Sequence, residues 1–281
     1  MVEHLLPVVF AVALWWGSTG LILRLDWLPR ATFRWTMLGA TALLAAGVAG
    51  LAWSAQERSL AAVYLGLVSA ILAWGWIEIA FLTGFVTGPR RVACPPEARG
   101  WVRLRAAIAV ILWHELAIVA VGVVVALITL DAPNPYGGVA FLALAAMRLS
   151  AKLNLFLGVR NFGEAMLPEH LRYLETYFAR RRMNALFPFS VLGGTAACVG
   201  LIATAAAPGS DVVTATGHTL LASLIALGVL EHAFMVLPVP PEALYRRILP
   251  ARPVAFPDDL HVPSRGVVPR AAVSKPHGSR P

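Results

Sequence analysis

Two pairs of neighbouring histidine and glutamate residues lie inside apolar stretches of the sequence. The segment ILWHELAIV places His114 beside Glu115, and the segment GVLEHAFMV places Glu231 beside His232. Imidazole and carboxylate groups transfer protons, ligate metals and form ion pairs, and they need partners where water is excluded. Neighbouring residues on a helix point about 100° apart, so one pair rarely supplies two ligands to one ion. The pairs therefore predict a buried polar site that other helices complete.

Polar residues in the other apolar stretches extend this candidate site to a layer of eight side chains. At a rise of ~1.5 Å per residue, all eight are expected roughly 7–16 Å from one face of the membrane. Arg148 and Lys152 share a helix face and require anions opposite them, whereas Asn154 lies off that face. A charge at bilayer depth costs roughly 2.5–3.5 kcal/mol, which favours pairing inside the bundle. The predicted polar layer consists of Glu78, His114, Glu115, Arg148, Lys152, Asn154, Glu231 and His232.

The elements that must position this layer are membrane-spanning helices. Hydrophobic residues make up 58% of the 281 residues and charged residues 14%, against about 25% charged residues in soluble domains. Because about 20 apolar residues cross the hydrocarbon core, the apolar runs predict an all-α, polytopic bundle of about seven helices. The expected domain is 1–249, followed by a disordered, basic, proline-rich tail, 250–281. The predicted spans are 5–25, 34–54, 60–87, 106–130, 138–159, 188–207 and 215–237.

The basic residues predict how this bundle is oriented. Twenty of the 23 Lys and Arg residues fall in the first, third and fifth connections and after the last helix, whereas Arg58 alone lies on the other side. Such a bias places the N-terminus outside and the C-terminus in the cytoplasm of a bacterial inner membrane. The net charge of +8 then reflects topology, so membrane lipid and not nucleic acid is the expected partner. Residues 167–184 are expected to form an amphipathic helix on the cytoplasmic face, or a connecting helix on the bundle ends.

Metal and redox motifs are scarce in this sequence. Cys94 and Cys198 form no CxxC motif, and they predict neither a disulfide framework nor a thiolate metal site. The Glu-x-x-His motif of di-iron bundles is absent, because Phe81, Ile118 and Phe234 follow the three glutamates at that spacing. We therefore predict no metal site, assign no catalytic residue, and favour a non-catalytic protein.

Four uses of the polar layer remain open at this point. It could be an ion-pair network that fixes helix order, a tetrapyrrole site, a proton or ion path, or the centre of a metal-dependent membrane enzyme. In the tetrapyrrole hypothesis, His114 or His232 coordinates the central metal, and Arg148 and Lys152 meet propionate or carboxylate groups. Tryptophans could stack on a planar pigment, although packing at the membrane interface is their commoner role; they are Trp15, Trp16, Trp74, Trp76 and Trp113.

Three segments resemble a known family. KLNLFLGVRN at 152–161, LPEHLRYL at 167–174 and Trp-Gly-Trp-x-Glu at 74–78 are similar to the PuhE-like family, the photosynthetic complex assembly proteins of purple phototrophic bacteria. The resemblance covers about 1–250. It implies an integral assembly factor of the intracytoplasmic membrane, working beside reaction-centre or light-harvesting subunits and pigment-synthesis enzymes, or setting the supply of bacteriochlorophyll or a precursor.

With that role, 160–184 becomes the predicted docking surface for partner subunits. Its candidate residues are Arg160, Asn161, Glu169, His170, Arg172 and Tyr173. The rival hypothesis is a membrane-embedded metal-dependent enzyme or transporter that works through the Glu/His layer.

Overall fold

Seven long helices form the fold in the computed structural model, which describes residues 2–163 and 166–238. All seven are long and apolar enough to cross a membrane, so the all-helical, multi-pass prediction is confirmed. The predicted tail at 250–281 lies outside the described residues. The helices are α1 (Val2–Asp26), α2 (Phe33–Gln56), α3 (Leu60–Leu82), α4 (Gly100–Thr129), α5 (Tyr136–Leu157), α6 (Phe187–Ala205) and α7 (Val212–Phe234).

Local sequence signals begin and end several of these helices. The side chain of Asp211 caps α7 by accepting from the backbone N–H groups of Val213 and Thr214, at 3.0 and 3.2 Å. Hydrogen bonds from Thr214 hold the pKa of this exposed carboxyl at about 2. At the other end of the bundle, α5 ends at Gly158, whose φ of 121° favours glycine.

Helices α3 and α7 lie at the centre of the bundle. Half of the apolar stretch of each is buried inside the protein, whereas the remaining helices bury a quarter of theirs or less. The shared core includes Leu51, Val63, Ile77, Phe141 and Leu220, each at most 3% exposed. Large apolar side chains cover the outer faces of the bundle, as expected for surfaces that contact lipid.

The third connection, residues 83–99, packs closely against α4, which is longer than the other helices. The carbonyl of Thr87 accepts a hydrogen bond from the backbone N–H of His114 at 2.9 Å, and that of Ala109 accepts one from Arg90 at 3.3 Å. A Cβ atom at Gly88 would lie 2.2 Å from the carbonyl oxygen of Ala109, so only glycine fits there. Helix α3 ends at Leu82 and not near 87 as predicted, because this connection turns back along α4.

The fifth connection contains a 3₁₀ helix, Glu169–Tyr177, where the sequence predicted an amphipathic helix over 167–184. Its buried residues, Leu171, Leu174 and Tyr177, follow a period of three, which is the 3₁₀ repeat. Leu171, Leu174 and Tyr177 pack against Phe81 and Val110. This segment, called here the 3₁₀ connector, therefore matches the second expectation, a connecting helix packed on the bundle ends.

Candidate functional site

A cavity of about 430 Å³ lies at the end of the bundle that carries the 3₁₀ connector. Side chains of α1, α3, α4, α5 and α7 line it, together with residues of the fifth connection. Five of the eight predicted polar-layer residues line it, and Glu115 joins them through its ion pair with Lys152. The five are Glu78, His114, Arg148, Lys152 and Glu231.

The layer lies nearer the helix ends than the sequence suggested. Glu78 is four residues from the end of α3, a distance of about 6 Å along the axis. The ring of His114 lies 4.4 Å from that of Phe81, so His114 is level with the end of α3. The 3₁₀ connector and the third connection cover these ends, which explains how the groups remain inside the protein.

Arg148 and Lys152 on α5 each have a carboxylate partner on a neighbouring helix. The guanidinium of Arg148 donates to Glu78 on α3 at 3.1 Å, and the ammonium of Lys152 donates to Glu115 on α4. Two separate ion pairs therefore supply the anions that the sequence predicts opposite these two cations. As a consequence, neither cation is a spare counter-ion for a ligand carboxylate.

His114 is the buried group of the layer whose ring lacks partners. The side chain is 1% exposed and lines the cavity, and neither ring nitrogen has a hydrogen-bond partner among the described residues. A neutral imidazole carries one donor and one acceptor, and leaving such groups unpaired costs about 1–3 kcal/mol each. Only its backbone N–H, bonded to Thr87, and its contact with Phe81 fix its position.

His232 differs from His114, because both of its ring nitrogens are bonded. Nδ1 lies 2.8 Å from the carbonyl oxygen of Gly228, and Nε2 lies 2.9 Å from the hydroxyl of Ser150. Since a carbonyl can only accept, Nδ1 carries the proton and Nε2 accepts from Ser150. His232 is 1% exposed and ties α7 to α5, so we leave it out of the proposed ligand site.

Asn154 belongs to a separate polar cluster at the junction of α5 and α6. Its amide nitrogen donates to the backbone of Ser150 and to the hydroxyl of Ser190, both at 2.9 Å. Asn184 donates to the side-chain oxygen of Asn154 at 3.0 Å and accepts from the N–H groups that begin α6. This cluster caps helix ends and does not line the cavity.

Asp26 is a further buried acid at this end of the bundle, and the predicted layer did not include it. It lies at the end of α1, is 5% exposed, and neither carboxylate oxygen has a hydrogen-bond partner among the described residues. Glu78 is close enough to repel it electrostatically. Its burial depends on packing at the bundle end. In the sequence, only the position of this charged residue beside an apolar run could have indicated a buried acid.

The predicted docking residues divide into exposed and packed groups. Arg160, Glu169 and Arg172 are exposed. Asn161 instead binds the end of α7, donating to the carbonyl of Phe234 at 3.0 Å, while its backbone N–H donates to that of Met235.

His170 and Tyr173 also pack against the bundle. Burial lowers the pKa of His170, and Arg30 adds to this effect. Burial likewise raises the pKa of the Tyr173 hydroxyl, although the neighbouring Thr87 side chain opposes this shift.

The five tryptophans lie in three different environments. Trp15 and Trp74 line the cavity, and the ring of Trp74 lies 5.7 Å from that of Phe141. Trp16 and Trp113 are about half exposed on the outer surface. The indole of Trp76 donates to Thr41 at 3.1 Å. Only the first group could therefore contact a ligand in the cavity.

The fold and the cavity define a seven-helix membrane protein whose cavity is lined by apolar side chains and by residues of the polar layer. The chain belongs to the family described as "Protein of unknown function (DUF3623)", whose model matches residues 1–255. A relative from Rhodobacter capsulatus, named "Uncharacterized 30.4 kDa protein in puhA 5'region", is 38% identical over 250 residues, covering 88% of this chain and 91% of the relative. The family resemblance seen in the sequence is thereby confirmed. No solved structure matches the chain.

Proposed function

We propose that this protein is an integral membrane assembly factor for bacterial photosynthetic complexes and that it holds bacteriochlorophyll or a precursor in the cavity. The relative from Rhodobacter capsulatus is named for the puhA 5' region, and together with the family resemblance this name supports a photosynthesis-related role. The positive-inside bias supports an inner-membrane location with the cavity near the cytoplasm.

The observation that carries the pigment part of the proposal is the unpartnered imidazole of His114 in the cavity wall. A neutral imidazole nitrogen can bind the central metal of a tetrapyrrole. The cavity volume of about 430 Å³ lies in the range of small-molecule sites, and Trp15 and Trp74 offer aromatic faces. His114 would hold the pigment, and the pigment's central metal would accept the imidazole nitrogen.

The docking part of the proposal uses the exposed residues Arg160, Glu169 and Arg172 beside the cavity end. A reaction-centre or light-harvesting subunit that contacts this face would lie next to the held pigment. The proposed role is therefore delivery or retention, and no bond of the pigment is made or broken.

The experiment is purification of the full chain in detergent from a phototrophic host, followed by absorption spectroscopy, metal analysis and co-purification of photosynthetic subunits. We expect a bound pigment that is lost in His114→Ala and retained in the control variant His218→Ala. The control histidine lies far along α7, with its ring bonded to the carbonyl of Thr214 at 2.8 Å.

Two results would contradict the proposal in different ways. Stoichiometric iron or zinc without pigment would support the rival membrane enzyme. A colourless, metal-free protein that still co-purifies with reaction-centre subunits would retain the assembly role and refute the pigment site.

A further inference from the structure

The charged groups around the cavity contain no spare cation among the residues that the structure describes. Arg148 is paired with Glu78 and Lys152 with Glu115, so each positive charge of α5 is already matched by an acid from α3 or α4. The side chain of Lys152 is 16% exposed, and that of Glu78 is 12% exposed. Transferring Arg148 to a ligand would leave the carboxylate of Glu78 without its partner, which is costly, whereas Glu115, at 30% exposed, would lose Lys152 at a smaller cost.

Two acids near this end of the bundle have no hydrogen bond or ion pair among the described residues. Glu231 on α7 lines the cavity wall with an exposed side chain, and no hydrogen bond or ion pair joins it to another described residue. Asp26, at the end of α1, is buried without a hydrogen-bond partner in the described part of the chain, although it does not line the cavity. If these acids are ionised, the site is negative, and if they are protonated, it is neutral. Neither state attracts an anion.

The site also contains hydrogen-bonding groups that have no partner among the described residues. The Nε–H group of Arg148 is buried without an acceptor in the described residues, although the same guanidinium holds Glu78. The ring of His114 adds one further donor or acceptor. A carbonyl or ester oxygen could accept from such donors without bringing charge into the layer.

From this charge balance we infer that the cavity selects a ligand whose polar end is uncharged, an esterified tetrapyrrole, and rejects the corresponding free carboxylic acid. The inference rests on the proposed function, from which it takes the ligand class. It adds the preference of the site for the ester over the free acid. Glu78 and Glu115 are its determinants, because they occupy the two cations that a ligand carboxylate would need. Rejection by an unmatched charge is a standard route to specificity.

The test compares two probes that differ in one group, zinc pheophorbide methyl ester and its free acid, titrated into the purified full-length chain in detergent at neutral pH. Binding is followed by the shift of the pigment absorption bands and by quenching of tryptophan fluorescence. We expect the ester to bind at least about tenfold more tightly, since a like charge or unpaired buried charge costs more than 1.4 kcal/mol.

A variant that frees one cation should reduce this preference. Glu78→Gln releases Arg148, so the acid should gain affinity and the ratio should fall by at least about threefold, the effect of one partly exposed charge pair. The matched control is Glu57→Gln, an exposed glutamate at the opposite end of the bundle, which should leave the ratio unchanged.

The possible outcomes separate the two proposals. If wild-type protein binds acid and ester equally, or prefers the acid, the inference is overturned while the pigment site stands. If neither probe binds, or if His114→Ala binds both normally, the proposed function fails and the inference with it. Should Glu78→Gln not accumulate in the membrane, the wild-type ratio alone decides.

Discussion

The two histidines of the sequence pairs have opposite hydrogen-bonding states. His232 is bonded through both ring nitrogens, to Ser150 and to Gly228, whereas the ring of His114 has no partner among the described residues. Both are 1% exposed, so burial does not distinguish them. The sequence alone does not distinguish them, because a dipeptide does not show which ring meets a partner on another helix.

This contrast predicts opposite effects of the same substitution. His232→Leu leaves the Ser150 hydroxyl without its acceptor at the α5–α7 contact, so we expect the free energy of unfolding to fall by about 1–3 kcal/mol. His114→Leu replaces a ring without partners by an apolar group and should leave stability unchanged or slightly raised. The measurement is the thermal unfolding midpoint of each purified variant, monitored by tryptophan fluorescence. Equal destabilisation by both would show that His114 has a partner.

At the scale of elements, α5 depends on its neighbours to bury two cations. Lys152 and Glu115 join α5 to α4, and Arg148 and Glu78 join α5 to α3. Helix α5 also crosses α3 closely at Gly137, where a Cβ atom would lie 2.9 Å from the carbonyl oxygen of Gly66. The crossing and the ion pairs together fix the rotation of α5, which is what directs its cations into the layer.

A double-mutant cycle on Lys152 and Glu115 tests this account. Lys152→Met and Glu115→Leu should each lower the free energy of unfolding, because each leaves one charge without its partner. The double variant should recover much of the loss, with a coupling energy of about 1–2 kcal/mol. Membrane accumulation and thermal unfolding in detergent measure the cycle.

The exposed pair of Arg58 and Asp211, 2.7 Å apart at the other bundle end, supplies the control for this cycle. Arg58→Ala should change accumulation little, since exposed ion pairs contribute little. Additive effects of the two Lys152 and Glu115 substitutions would contradict the pairing.

Particular elements show why part of this structure was predictable. Hydropathy predicted seven helices and placed most of the polar layer together, because a spanning helix needs only local composition and buried charges must meet. The 3₁₀ connector was not predicted, since its form depends on distant partners. Arg90 donates to the hydroxyl of Tyr177 at 2.7 Å, and Arg103 donates to its carbonyl at 2.6 Å. The pairing of Ser150 with His232 could not be predicted for the same reason, because it joins two helices that are distant in sequence.

At the scale of the whole molecule, the basic residues that predict the orientation also take part in packing. Arg90 and Arg103 bind the 3₁₀ connector, although the sequence analysis counted them only as positive charges on the cytoplasmic side. The end of the bundle that carries the cavity is therefore also the basic end. If that end faces the cytoplasm, the cavity is placed to exchange a ligand with cytoplasmic or membrane-bound enzymes.

The two native cysteines provide a direct test of this orientation. Cys94 lies in the third connection at the basic end and is partly exposed, whereas Cys198 lies within α6 with its thiol 3.4 Å from the carbonyl of Ala222. A membrane-impermeant maleimide should label Cys94 in inverted inner-membrane vesicles and not in intact spheroplasts. Cys94→Ser should abolish labelling, and adding Glu57→Cys in that background should restore it from the spheroplast side only. Labelling of wild-type protein in spheroplasts would reverse the topology and place the cavity toward the periplasm.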